Sequence, residues 1–276
     1  MSWKPSNSQE QRRLEQDFSN LGIPFDALGF YDHPAFLEAE RKDPRFLEMY
    51  ARYVEARTYS DSYIAIAAPK IKAAATALEA AIAADGRLGA CVDASGMLGR
   101  MLDRLGVWNY VAKSTLTITF PRASTLRPRY FWAVDTGEFV APHAIVVAPP
   151  FGIVDVTVRH QHYDADQAAY LPSPLLANQW ESDKWMPEDL TNTEVLTSLR
   201  AKRIPFLTFL RTNYLPMIEV MEVLPVRNVK VNDTTLKYVT IAVGMTNEPL
   251  EGITGYKPNG RTALQIFEQD IQPQFT

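Results

Sequence analysis

Three residues of this 276-residue chain have the types and order for acyl transfer through a thiol: Cys91, His143 and Asp155. His143 lies 52 residues after the cysteine and Asp155 another 12 residues on. A thiolate is a strong nucleophile at a carbonyl carbon, and the partial positive charge at a helix N-terminus favours thiolate over thiol. Acyl transfer also needs an imidazole beside the sulfur and a third group holding that imidazole in one tautomer. An apolar strand has little reason to carry Asp155 between Val154 and Val156 unless it has a partner, because an unpaired buried carboxylate is costly.

The elements that must position these residues can be read from periodicity. Met97, Leu98, Met101, Leu102 and Leu105 recur at helical spacing and Gly106 closes the run, which places Cys91 at or just before the first turn of a helix. After Gly106 the period becomes that of strands: 108–111, 115–120, 130–134, 144–147 and 153–158. The turns fall at 121–124, at Asp135-Thr136-Gly137 and at 149–152. This reads as an antiparallel meander of about five strands. The short turn at Pro149 to Gly152 brings His143 and Asp155 roughly opposite one another on neighbouring strands. A long Ala-rich helix over 65–84 precedes the cysteine, and three shorter helices are expected in the first 60 residues. In the last hundred residues, helices are expected at 193–202, 207–214 and 262–270. Strands are expected at 219–226, 229–231 and 237–243.

The stretch from Gly89 through Cys91 to Val107 resembles the pattern of the transglutaminase-like superfamily. There a Gly-rich approach leads to Cys, then to a helix of small and apolar residues, then to Leu-Gly-Val and a strand. His143-Ala144-Ile145-Val146-Val147, followed by Gly152-Ile153-Val154-Asp155-Val156-Thr157, is similar to that family's His-Ala-Trp-Val and Gly-Trp-Val…Asp-Pro-Thr. Ile145 stands in place of the Trp and Val156 in place of the Pro. The resemblance covers residues 63–160. It implies an α+β fold with a transglutaminase-like, papain-like core, in which the helix carrying Cys91 packs on an antiparallel sheet. It also implies a catalytic triad of Cys91, His143 and Asp155. One oxyanion donor is expected to be the Cys91 backbone N–H, and Tyr59, Tyr63 and Trp108 are candidates for another.

Composition narrows the partners. The chain is 46% hydrophobic with formal net charge −4, so it has no basic surplus to drive binding to nucleic acid or an anionic membrane, which leaves only a local basic patch for such a role. Cys91 is the only cysteine, so no intrachain disulfide or Cys-based zinc site can form. The first ten residues lack the apolar core of a secretory signal. The longest charge-poor stretches, 73–84 and 139–154, fall short of the roughly 20 residues that span a bilayer or contain Pro and Gly. A cytoplasmic location is expected. His160 and His162 have the alternation of a metal pair, but a solvated strand-end loop is the expected role. Ser95 lacks a Gly-x-Ser-x-Gly context, and Trp180 and Trp185 are read as core.

The expectation is therefore a thiol hydrolase or acyltransferase without metal or cofactor, acting on a protein, a peptide or a small amide. A peptidase or amidase is the first reading. A transglutaminase or N-acyltransferase with an amine acceptor is the alternative, since Arg87-Leu88-Gly89-Ala90-Cys91 resembles the Arg-Gly-Gly-x-Cys of arylamine N-acetyltransferases. A non-catalytic scaffold that binds a protein partner remains open. The chain divides into an N-terminal helical extension (1–60), a catalytic core (61–170) and a C-terminal α+β extension (171–276).

Overall fold

A computed structural model describes residues 6–134 and 141–276. The turn expected at Asp135-Thr136-Gly137 lies outside the described residues. The architecture is α+β. Helices α1 (Ser8–Asn20), α2 (Pro34–Lys42) and α3 (Leu47–Ala56) are followed by the long α4 (Asp61–Asp85) and by α5 (Cys91–Arg104). Strands β1 (Tyr110–Thr119), β2 (Arg129–Phe131), β3 (His143–Ala148), β4 (Phe151–Asp155), β5 (Leu175–Ala177) and β6 (Glu181–Asp183) come next. Then come α6 (Pro187–Leu190), α7 (Thr193–Ala201), α8 (Phe206–Asn213) and α9 (Leu215–Val223), the hairpin β7 (Val226–Val231) and β8 (Thr234–Gly244), and α10 (Ala263–Ile266).

The strands form a single antiparallel sheet in the order β5-β4-β3-β1-β8-β7-β6, with β2 also paired to β1. The expected succession of neighbours is corrected here. β1 is one strand where two were expected, and β8, more than a hundred residues later, lies against it from Val111–Gly244 to Thr119–Thr235. A register shift at Lys113/Ser114 interrupts that pairing, between the two strands expected at 108–111 and 115–120. The sheet thus draws strands from both sides of residue 170. The strand expected at 219–226 is instead mostly α9: Met217, Ile218, Val220 and Met221 are buried together at helical spacing, and Pro216 sits in the first turn. The β7–β8 hairpin turns on Asn232 and Asp233, both at positive φ, as a tight two-residue connection requires.

Period-2 alternation gives the sheet two apolar faces. Tyr110, Ala112, Ile145, Val147 and Ile153 join the core beneath the N-terminal helices, where Phe18, Phe30, Tyr50 and Trp108 pack edge to face. Val111, Val146, Ala148 and Val154 join the core beneath α4 and α5. Gly152 has a specific reason to be glycine: a Cβ there would come within 2.1 Å of the Trp180 indole nitrogen. No helix among the described residues is long and apolar enough to cross a membrane.

Candidate active site

Cys91 is the first residue of α5, as the apolar period required. The chain reaches it through Gly89, whose φ of +76° favours a residue without a side chain, and then Ala90, which caps no first-turn N–H with its side chain. This approach is held from behind. The Gly89 N–H donates to the His160 carbonyl at 2.9 Å, and His160 Nε2 lies 2.7 Å from Glu79 Oε1 and 3.2 Å from Ser173 Oγ. Ser173 Oγ also bonds Glu79 Oε1. His160 is therefore a half-buried tie between α4 and the loop leading to the cysteine rather than a solvated loop residue. His162 lies exposed against Gly89.

His143 stands where β1 changes partner. Ser114 of β1 pairs with His143 of β3, and two residues on Leu116 pairs with Phe131 of β2. The register of Val146 with Val154, continued toward the strand ends, puts Asp155 diagonally across from His143 on the same face. The side chains meet: His143 Nε2 is 2.6 Å from Asp155 Oδ2. Both residues are buried, at 0% and 1% exposure, while Cys91 retains 7%. The imidazole is flanked by the Phe131 ring, 5.7 Å away between centroids, and by that of Tyr238 at 6.3 Å.

The carboxylate is fully engaged. Tyr238 donates its hydroxyl to Asp155 Oδ2 at 3.0 Å, and Thr157 donates its N–H and hydroxyl to Oδ1 at 2.9 and 3.2 Å. Because Nε2–H is committed to Asp155, Nδ1 is the nitrogen free to act as a base; it has no hydrogen-bond partner among the described residues. The Cys91 thiol lies close enough to the ring to interact with it.

Burial pushes the Cys91 thiol up, but the neighbouring His143 imidazole and the Ala144 N–H outweigh burial and bring it below its ordinary value. Burial likewise disfavours the His143 cation. The Asp155 carboxylate and the thiolate reverse this and push His143 up to about 10. The two shifts are coupled, each group favouring the charged form of the other, with the Asp155 carboxylate behind the imidazole.

The structure brings together Cys91, His143 and Asp155. It does not bring in Tyr59, Tyr63 or Trp108 as oxyanion donors. The Tyr63 hydroxyl accepts the Trp108 N–H at 2.9 Å and the Tyr59 hydroxyl donates to the Val54 carbonyl at 3.0 Å. Trp108 lies two residues before the start of β1 and packs in the core beneath the N-terminal helices. Tyr238 and Thr157 were missed. Thr157 sits two residues beyond the carboxylate it binds, a spacing typical of local side chain–backbone bonding. Among the described residues no group of three His, Cys, Asp or Glu side chains is placed to hold a metal ion. No known protein family, characterised protein or solved structure matches the chain.

Proposed function

We propose that this protein is a cysteine-dependent acyl-transfer enzyme with a transglutaminase-like core, acting as a peptidase or amidase through Cys91, His143 and Asp155. The observation that carries the reading is the 2.6 Å bond from His143 Nε2 to Asp155, which leaves Nδ1 for a thiol already shifted toward thiolate.

The steps follow from the geometry. The Cys91 thiolate attacks the carbonyl carbon of an amide or ester, forming a C–S bond as the carbonyl electrons move onto oxygen. The N–H groups of Cys91 and Val92, in a first turn without a side-chain cap, are backbone donors available to that oxyanion. His143 Nδ1–H then protonates the departing amine or alcohol as the C–N or C–O bond breaks, leaving a thioester and a neutral imidazole. Water attacks the thioester, giving its proton to Nδ1, and the C–S bond breaks to release the acid and restore the ion pair. Asp155 holds the ring in the required tautomer and stabilises its charged form.

The test is to incubate the protein with p-nitrophenyl acetate, quench in acid and map the acetyl group by peptide mass spectrometry. A thioester on Cys91 that is absent from Cys91→Ala and strongly reduced in His143→Ala is expected. Acetylation confined to lysines would sink the proposal.

A further inference from the structure

A cleft of about 440 Å³ lies beside the triad, between the first two turns of α5, the middle of β1, the end of β8 and the chain that follows it to Tyr256. This volume is in the range of small-molecule sites. The triad side chains themselves do not line the cleft, but Val92 and Ala144, the chain neighbours of Cys91 and His143, both do, so it adjoins the site. The Ala144 N–H is the one that faces the sulfur.

We infer that this cleft is the acyl-group subsite of the Cys91 centre and takes a medium-length aliphatic acyl group; the inference rests on the acyl-transfer reading above. Four observations carry it. The floor is apolar, formed by Met97, Val111, Val243, Met245 and Ile253. The two methionines are unbranched and adapt to flexible chains. Val92 leaves 58% of its surface exposed on the turn that carries the nucleophile, apolar area that a bound acyl chain would cover.

The space is built, not incidental. A Cβ at Gly96 would meet only Thr246, at 3.6 Å, so the absent side chain opens the cleft one turn along from Val92. The opposite wall is tied in place. Arg100 Nε donates to the Thr246 carbonyl at 3.1 Å, and the Val111 N–H donates to the Met245 sulfur at 3.3 Å. The charges at the rim do not select an ion. Asp93 is paired with Arg87 at 3.3 Å, and the exposed Lys113 and Glu248 have opposite signs. Discrimination is left to apolar contact, for which each methylene is worth about threefold or more in rate.

The test compares p-nitrophenyl hexanoate with p-nitrophenyl acetate, and both with iodoacetamide, which needs only the thiol. The native protein should be acylated by the hexanoate at least about tenfold faster than by the acetate. Gly96→Leu should remove most of that preference, slowing the hexanoate reaction far more than the acetate or iodoacetamide reaction. Gly96→Ala should stay near the native ratio. A folded Gly96→Leu protein with an undiminished hexanoate preference would overturn the inference. A second measurement is independent of any chemistry: hexanamide titrated into ¹⁵N-labelled Cys91→Ala should shift the amide resonances of Val92, Gly96, Val111 and Met245. Unmoved resonances at saturating hexanamide would overturn the cleft assignment even if Gly96→Leu failed to fold. Shifts without any ester reaction at Cys91 in the native protein would support the cleft and count against the thiol chemistry. Reaction without shifts or chain-length preference would do the reverse.

Discussion

Tyr238 of β8 donates its hydroxyl to the same oxygen of Asp155 that receives His143 Nε2–H, at 3.0 Å and 2.6 Å respectively. The strand that contributes it runs alongside β1, so the centre of the sheet sets the direction of the carboxylate. Tyr238 touches no reacting atom and acts through Asp155 as a positioning residue. Tyr238→Phe removes one donor and keeps the ring, a loss of about 1 kcal/mol in a buried network. Turnover on an ester substrate should fall about 3- to 10-fold, with the pH dependence of labelling shifted. Unchanged turnover and an unchanged pH profile would reduce Tyr238 to a packing residue.

Asp155→Asn is a harsher change. Both oxygens of Asp155 accept hydrogen bonds, from His143 and Tyr238 on one side and Thr157 on the other. An amide offers one accepting oxygen, so one pair of donors must face an NH₂ group. A thiolate–imidazolium pair depends less on its third member than a serine does. The expected loss in turnover is roughly 10- to 1000-fold, with about 1–2 kcal/mol of stability. Full activity in the variant would show that another residue orients His143.

The three catalytic candidates were legible because each signal is local. Apolar spacing after Cys91 fixed the helix start, and the short turn before Gly152 fixed the proximity of His143 and Asp155. Tyr238 was not legible, since its approach depends on β8 pairing with a strand more than a hundred residues earlier, and alternation within β8 says nothing about its neighbour. α9 was misread because Val220 and Val223 suit a strand as single residues. The burial of Val220, Met217 and Met221 at helical spacing, with Val223 left exposed, is a tertiary fact that overrides propensity. The tie from Glu79 through His160 to Ser173 likewise joins three distant segments.

The coupled shifts set a pH window. His143, raised to about 10 in the folded protein against 6.5 unfolded, contributes stability that is full below pH 6.5 and lost as pH rises through about 10. Cys91, lowered from 9.0, contributes stability present above pH 9.0 and lost as pH falls through its folded value. Summed, the pair's contribution is level between the folded Cys91 value and pH 9.0, where one share rises as the other falls, and declines from pH 9.0 to about 10. Denaturant unfolding of the native protein and of a Cys91→Ala/His143→Ala double variant across pH 5 to 11 should give a difference with that plateau. A difference that rises steadily with pH would contradict the ion pair.

Gly152→Ala tests the packing that holds β4 against its neighbours. The added Cβ would meet the Trp180 indole at 2.1 Å and 2.5 Å, and the Arg227 guanidinium lies over that ring at 4.9 Å. Overpacking of this kind costs about 1–3 kcal/mol, or several degrees in Tm for a chain of this length. Adding Trp180→Ala should recover part of the loss. A melting temperature equal to the native value in Gly152→Ala alone would show that Trp180 moves aside freely.

The most direct test of the Cys91–His143–Asp155 centre is the second-order rate of Cys91 alkylation by iodoacetamide at about pH 6.5, followed by intact mass spectrometry in the native protein and in His143→Ala. A thiolate held by an imidazolium should react at least about tenfold faster than glutathione under the same conditions, and the variant should lose that excess. Labelling that appears only on denaturation, or that is as fast in His143→Ala as in the native protein, would contradict the account.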